Sequence, residues 1–222
     1  MMHLPRKLFA AMIAMLGGGL LHAQGSLEGT VILTGKPMGP PPTAHYALNA
    51  GQVSASPLQL AVVYLEVPNA RNKPPAQPVV MMQSGYQFAP GVLAVQTGTQ
   101  VLFPNQDSDY HNVFSFSKAK RFDLGRFRKD ETPPALTFDK AGVVRLYCEI
   151  HQHMRGVVLV LDTPYFAITN AEGRYRLSGL PAGTWQLKAW LNEKATIIQQ
   201  VTVVPGKTQR VDFSDVRTAS SR

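Results

Sequence analysis

The sequence predicts an all-β protein built as two small β-sandwiches. Two observations carry that expectation. Runs of four to eight residues rich in Val, Leu, Phe and Tyr recur along the chain, each bounded by Gly, Pro, Asn or Asp, the signature of strands and turns. Glycine (18) and proline (17) are plentiful in the 222 residues, and no long stretch has helical periodicity. Many short strands at regular spacing imply sandwiches with Greek-key connections, and the length allows one large or two small domains.

Residues 1–23 read as a secretory leader. His3, Arg6 and Lys7 give a basic start, Leu8 to Leu21 is mostly apolar, and Leu21-His22-Ala23 ends in a small residue suited to cleavage. The expected product is an exported, periplasmic chain, Gln24–Arg222. No membrane anchor is expected, because no later run approaches about 18 consecutive apolar residues. A lipoprotein is not expected either, since no Cys follows the leader.

Strands are expected at Leu27–Leu33, Leu60–Val67, Val79–Gln83, Val92–Gln96, Gln100–Phe103, Val113–Phe116, Val143–Tyr147 and Gly156–Leu161. The pattern continues with Arg174–Leu177, Trp185–Trp190 and Ile197–Val204. Ala171-Glu172-Gly173 and Leu180-Pro181-Ala182-Gly183 read as turns. Lys36 to Ser56 is Pro-, Gly- and Ala-rich and irregular. Pro68 to Pro78 holds four prolines and reads as an extended linker able to span about 34 Å. Lys118 to Lys129 holds six basic residues and reads either as a solvated loop or as a docking patch for an acidic partner.

The formal charge of +8 suits acidic protein partners. It does not indicate nucleic acid, because export makes that partner implausible and no stacking motif accompanies the basic residues. The single cysteine, Cys148, cannot staple its own chain in an oxidising compartment.

That cysteine opens Cys148-Glu149-Ile150-His151-Gln152-His153-Met154. A thiolate, an imidazole and a thioether stand at i, i+3 and i+6 of one short loop. Upstream, Asp107-Ser108-Asp109-Tyr110-His111-Asn112-Val113 offers a second imidazole at the start of an apolar run. Two imidazoles, a thiolate and a weak axial thioether are what a trigonal type 1 copper site requires. No Ser/His/Asp arrangement, carboxylate pair or phosphate-cradling loop stands out, so no catalytic residue is assigned and an enzyme is not expected.

The segment from Phe88-Ala89-Pro90 to Asp162 resembles the cupredoxins, blue-copper proteins of the plastocyanin and amicyanin kind. The matching residues are Val101-Leu102-Phe103-Pro104-Asn105, His111-Asn112-Val113, Gly142-Val143-Val144-Arg145-Leu146-Tyr147-Cys148, His151 and Met154. The resemblance implies a Greek-key sandwich over about 78–162 holding one type 1 copper. His111, Cys148 and His151 would be its equatorial ligands and Met154 its axial one. It also implies that Asn105 hydrogen-bonds across to the ligand loop and ties the two ligand segments together.

Two positions depart from the family pattern. Glu149 stands where a small or hydroxyl residue is usual. Ionised and pointing inward, it would favour Cu(II) and lower the reduction potential. His153 reads either as an exposed rim histidine or as a replacement for Met154 at the metal.

Gly29-Thr30-Val31, Gly35-Lys36-Pro37 and Ala61-Val62-Val63-Tyr64-Leu65 resemble the opening strands of carboxypeptidase regulatory-like, or transthyretin-like, domains. Thr169-Asn170-Ala171-Glu172-Gly173-Arg174-Tyr175-Arg176-Leu177 and Leu180-Pro181-Ala182-Gly183-Thr184-Trp185-Gln186-Leu187 resemble the closing half. This favours a discontinuous second sandwich, 26–67 plus 163–215, with the copper domain inserted. The simpler alternative makes 26–67 extra strands of the copper domain. The combination is similar to exported methylamine-utilisation or plastocyanin-like proteins.

Three functions follow as expectations. The first is a periplasmic one-electron carrier serving a redox protein such as a c-type cytochrome or a dehydrogenase. The second is copper storage or delivery. The third is a partner-binding scaffold in which the copper is incidental. Oligomeric state is left open by the sequence.

Overall fold

The computed structural model describes residues 24–33, 60–70, 73–131 and 133–213, and among them every regular element is a strand. The leader and the whole irregular stretch at 36–56 lie outside the described residues. The strands in chain order are β1 (Gly25–Thr30), β2 (Val62–Glu66), β3 (Val79–Val80), β4 (Met82–Ser84), β5 (Gln87–Ala89) and β6 (Val92–Gln96). Next come β7 (Thr99–Leu102), β8 (His111–Phe116), β9 (Arg121–Phe127), β10 (Leu136–Phe138), β11 (Gly142–Tyr147) and β12 (Arg155–Leu161). The last are β13 (Phe166–Ile168), β14 (Arg174–Leu180), β15 (Gly183–Asn192), β16 (Ala195–Val203) and β17 (Thr208–Arg210).

A five-stranded sheet, β6-β12-β11-β8-β9, faces a three-stranded sheet, β10-β7-β3. A four-stranded sheet, β13-β2-β15-β16, faces a second three-stranded sheet, β14-β1-β17. The early strands β1 and β2 thus find their sheet partners far along the chain: β1 pairs with β14 and β17, and β2 with β13 and β15.

Period-two alternation explains how the sheets stack. Side chains along a strand point to opposite faces in turn. In β12, Val158 and Val160 enter the core shared with Val101, Phe103 and Phe138. Their neighbours Val157, Leu159 and Leu161 point the other way, to meet Val62, Tyr64, Phe166 and Trp190. In β2, Val62 joins that middle layer while Val63 and Leu65 join the core with Leu27, Leu177, Leu187 and Phe213. The molecule is therefore four sheets deep, with three apolar layers between them. A strand buried on both faces needs a continuous apolar run, which is why β12 reads Val-Val-Leu-Val-Leu rather than alternating.

The basic run at 118–129 is not a loop. Most of it is the edge strand β9, in which Arg121 and Asp123 face solvent while Phe122 and Leu124 pack on the core. The charged residues are the outward half of an alternation. Outward charge is a common device for blunting a sheet edge.

Candidate metal centre

Three strand ends bring the sequence-predicted ligands together. His111 is the first residue of β8, Cys148 follows the last residue of β11, and Met154 precedes the first residue of β12. Because β11 lies between β8 and β12 in one sheet, the loop 148–154 sits at the end where β8 begins. Adjacent strands stand about 4.8 Å apart, so donors on β8 and β11 reach one point. A hydrogen bond from the Met154 amide to the His151 carbonyl, 2.9 Å, closes the loop.

The donor atoms of His111, Cys148 and His151 all lie within 4.8 Å of one another. The two Nδ1 atoms are 2.9 Å apart, and Cys148 Sγ is 3.7 Å from His151 Nδ1. Nitrogen and sulfur donors bond a first-row metal at about 2.0–2.3 Å, so donors sharing one ion stand roughly 3–4 Å apart. All three residues are buried, and Met154, fully buried, packs in the same core as Cys148. A soft thiolate with two imidazoles and a thioether at hand fits copper of the type 1 kind.

Burial also sets the protonation state. Desolvation pushes the His151 imidazole down to about 4, and the neighbouring His111 and His153 add to the effect. Desolvation lowers His111 as well, against the opposing pull of the Asp107 carboxylate. Both rings are thus neutral near pH 7, as metal ligation requires.

The surroundings correct three expectations. Asn105 does not reach the ligand loop: its amide donates to the Asp109 carbonyl at 2.8 Å and the Phe127 carbonyl at 3.0 Å, and its oxygen accepts from the Asp107 amide at 2.8 Å. It shapes the 105–110 turn leading into His111. The tie between ligand segments belongs to Asn112, whose oxygen accepts from the Glu149 amide at 3.4 Å. Glu149 does not point inward. Its carboxylate is exposed and pairs with Arg126 at 2.5 Å, which removes the basis for a lowered potential. His153 is not a rim residue but 2% exposed. Its ring packs 6.2 Å from His151 and lies beside the Tyr86 backbone. It stands outside the group formed by His111, Cys148 and His151.

Sequence reasoning missed two residues. Asp107 Oδ2 lies 2.8 Å from His111 Nε2, on the side of the ring away from His151. Tyr86 sets its ring edge-on to both ligand imidazoles, with centroids 5.5 Å from His111 and 4.9 Å from His151. Gly85 and Tyr86 form the two-residue turn between β4 and β5, with φ of 61° and 59°. Consecutive positive φ is the type I′ pattern, easy for glycine but strained for tyrosine. Asp107 holds the turn by accepting both of its amides, at 2.8 and 2.9 Å. The signal for Asp107 was its i, i+4 offset from His111.

Beyond the middle apolar layer, Phe114 packs against Phe116 and Tyr147, with Arg121 over Phe116 and Arg155 over Tyr147. Nearer the ligands, Asp109, Tyr110, Arg126, Ile150 and His151 line a surface depression.

Residues 152–214 match the family model described as carboxypeptidase regulatory-like domain. No curated protein sequence matches the chain. Among solved structures, the Cu(I) form of an amicyanin mutant is 21% identical with a TM-score of 0.36, covering 45% of this chain and 98% of its own. The reduced state of another amicyanin mutant is 25% identical with a TM-score of 0.35, covering 44% and 99%. A purple cupredoxin from Nitrosopumilus maritimus is 23% identical with a TM-score of 0.34, covering 37% and 99%.

Proposed function

We propose that this chain is an exported, periplasmic carrier of single electrons, with one type 1 copper held by His111, Cys148 and His151 and an axial Met154. The observation that carries the reading is the convergence of two imidazole Nδ1 atoms and one thiolate in a buried site at one end of the five-stranded sheet. Copper supplies the one-electron couple when bound. The protein supplies a ligand set fixed by strand ends, hydrogen bonds and packing, so that neither oxidation state demands rearrangement. With Met154 as a fourth donor the metal would keep no open position for a substrate, which supports a carrier rather than an enzyme.

His151 is the ligand that lines the surface depression with Asp109, Tyr110, Arg126 and Ile150. In this reading His151 would be the route by which an electron leaves the site. The partner that would meet it is a redox protein such as a c-type cytochrome or a dehydrogenase.

The test is the visible spectrum of the purified protein after addition of Cu(II), beside Cys148→Ala. An intense thiolate-to-copper band, absent from the variant, supports the reading. Bound copper without that band overturns it and favours storage or delivery.

A further inference from the structure

We infer that Asp107 is a positioning residue for the metal, its carboxylate acting through the His111 ring to stabilise Cu(II) over Cu(I); this rests on the copper reading above. The geometry is specific. His111 is fully buried and has two ring nitrogens. Nδ1 faces His151 Nδ1 at 2.9 Å, and Nε2 faces Asp107 Oδ2 at 2.8 Å. A carboxylate only accepts hydrogen bonds, so the ring proton sits on Nε2 and the Nδ1 lone pair is left for the metal.

The carboxylate is itself fixed from several directions. Its Oδ1 accepts from the Gly85 amide and its Oδ2 from the Tyr86 amide, while the Asp107 amide donates to Asn105. Its side chain is 13% exposed. A negative charge bonded to the far side of an imidazole makes the near nitrogen a stronger donor, and a stronger donor favours the ion of higher charge. One arrangement therefore selects the tautomer, sets the ring plane and biases the couple.

Asp109 is the natural control. Its carboxylate lies in the same loop and accepts from the Tyr86 hydroxyl, and its hydrogen bonds do not touch the His111 ring. Removing its charge tests through-space electrostatics without the imidazole bond.

Reduction potentials of wild type, Asp107→Asn and Asp109→Asn decide the matter. The expected result is a tenfold shift of the equilibrium toward Cu(I) in Asp107→Asn, about 59 mV upward for a one-electron couple, with a clearly smaller shift in Asp109→Asn. An unchanged or lower potential in Asp107→Asn with its blue band intact overturns the inference, as does an equal rise in both variants. A wild type that binds copper without the band overturns the function instead. Nitrogen-15 NMR of metal-free wild type reads the tautomer independently of any variant's folding. A proton on His111 Nε2 supports the inference, and a proton on Nδ1 overturns it.

Discussion

Trp190→Ala tests the middle apolar layer. Trp190 is 6% exposed and packs with Val62, Val92, Ala94, Leu159 and Leu161, where the two sandwiches meet. A buried tryptophan removes about 150–250 Å² from water. At about 25 cal/mol per Å² that is roughly 4–6 kcal/mol, and tryptophan-to-alanine changes in cores typically measure about 3–5 kcal/mol. We expect a loss near 4 kcal/mol. For a chain of this size each kcal/mol moves Tm by about 2–4 °C, so calorimetry of the metal-free protein should show a fall of roughly 8–16 °C. The ligands lie in the other core, across the large sheet, so the copper band of the loaded variant should keep its position. Trp185, only partly buried and donating to the Pro181 carbonyl at 2.9 Å, is the comparison site. A Tm within about 2 °C of wild type for Trp190→Ala would refute the argument, because 2 °C corresponds to at most about 1 kcal/mol.

Gly29→Ala drives a Cβ into the Val211 carbonyl oxygen. Backbone must move between β1 and the segment after β17, and we expect a loss of roughly 3 kcal/mol in urea unfolding. Asp212 accepts from Arg210 and from the Thr30 hydroxyl and amide, and these bonds, Arg210 first, hold its carboxyl below the usual range. Its contribution is present above the unfolded carboxylate pKa and is lost as pH falls through the lower folded value. Asp212→Asn should therefore lower stability at pH 7 and flatten the acid side of the pH–stability profile. Glu149→Gln should shift the Cu(II)/Cu(I) equilibrium less than twofold, about 18 mV by voltammetry, because the carboxylate is exposed and engaged by Arg126. A larger shift would restore the inward-pointing reading.

The convergence of His111, Cys148 and His151 was legible because chemistry fixes residue types: a thiolate, imidazoles and a thioether at short offsets have few other uses together. The strands were legible from apolar runs and turn residues, and β6 begins and ends where expected. Side-chain direction was not legible. Asn105 and Asn112 both flank His111, and only the path of the 105–110 turn decides which one reaches Glu149. The burial of His153 was not legible because its neighbour Tyr86 comes from a distant part of the chain. β9 escaped notice because its charges were counted without their phase, although Arg121, Phe122, Asp123 and Leu124 alternate. The short strands β5, β10, β13 and β17 have only three residues each, too few for periodicity to register.

The pairing of β1 and β2 has a consequence for how the chain comes together in time. Both strands leave the ribosome first, yet β1 waits for β14 and β17, and β2 for β13 and β15. Closing such long loops is entropically slow. The intervening sandwich depends on no strand outside its own stretch for its sheets, so it is able to fold first and bring the two ends within reach. Until then β1 and β2 present unpaired edges to any neighbour. That interval is the window for aggregation, and it closes only with the last strand.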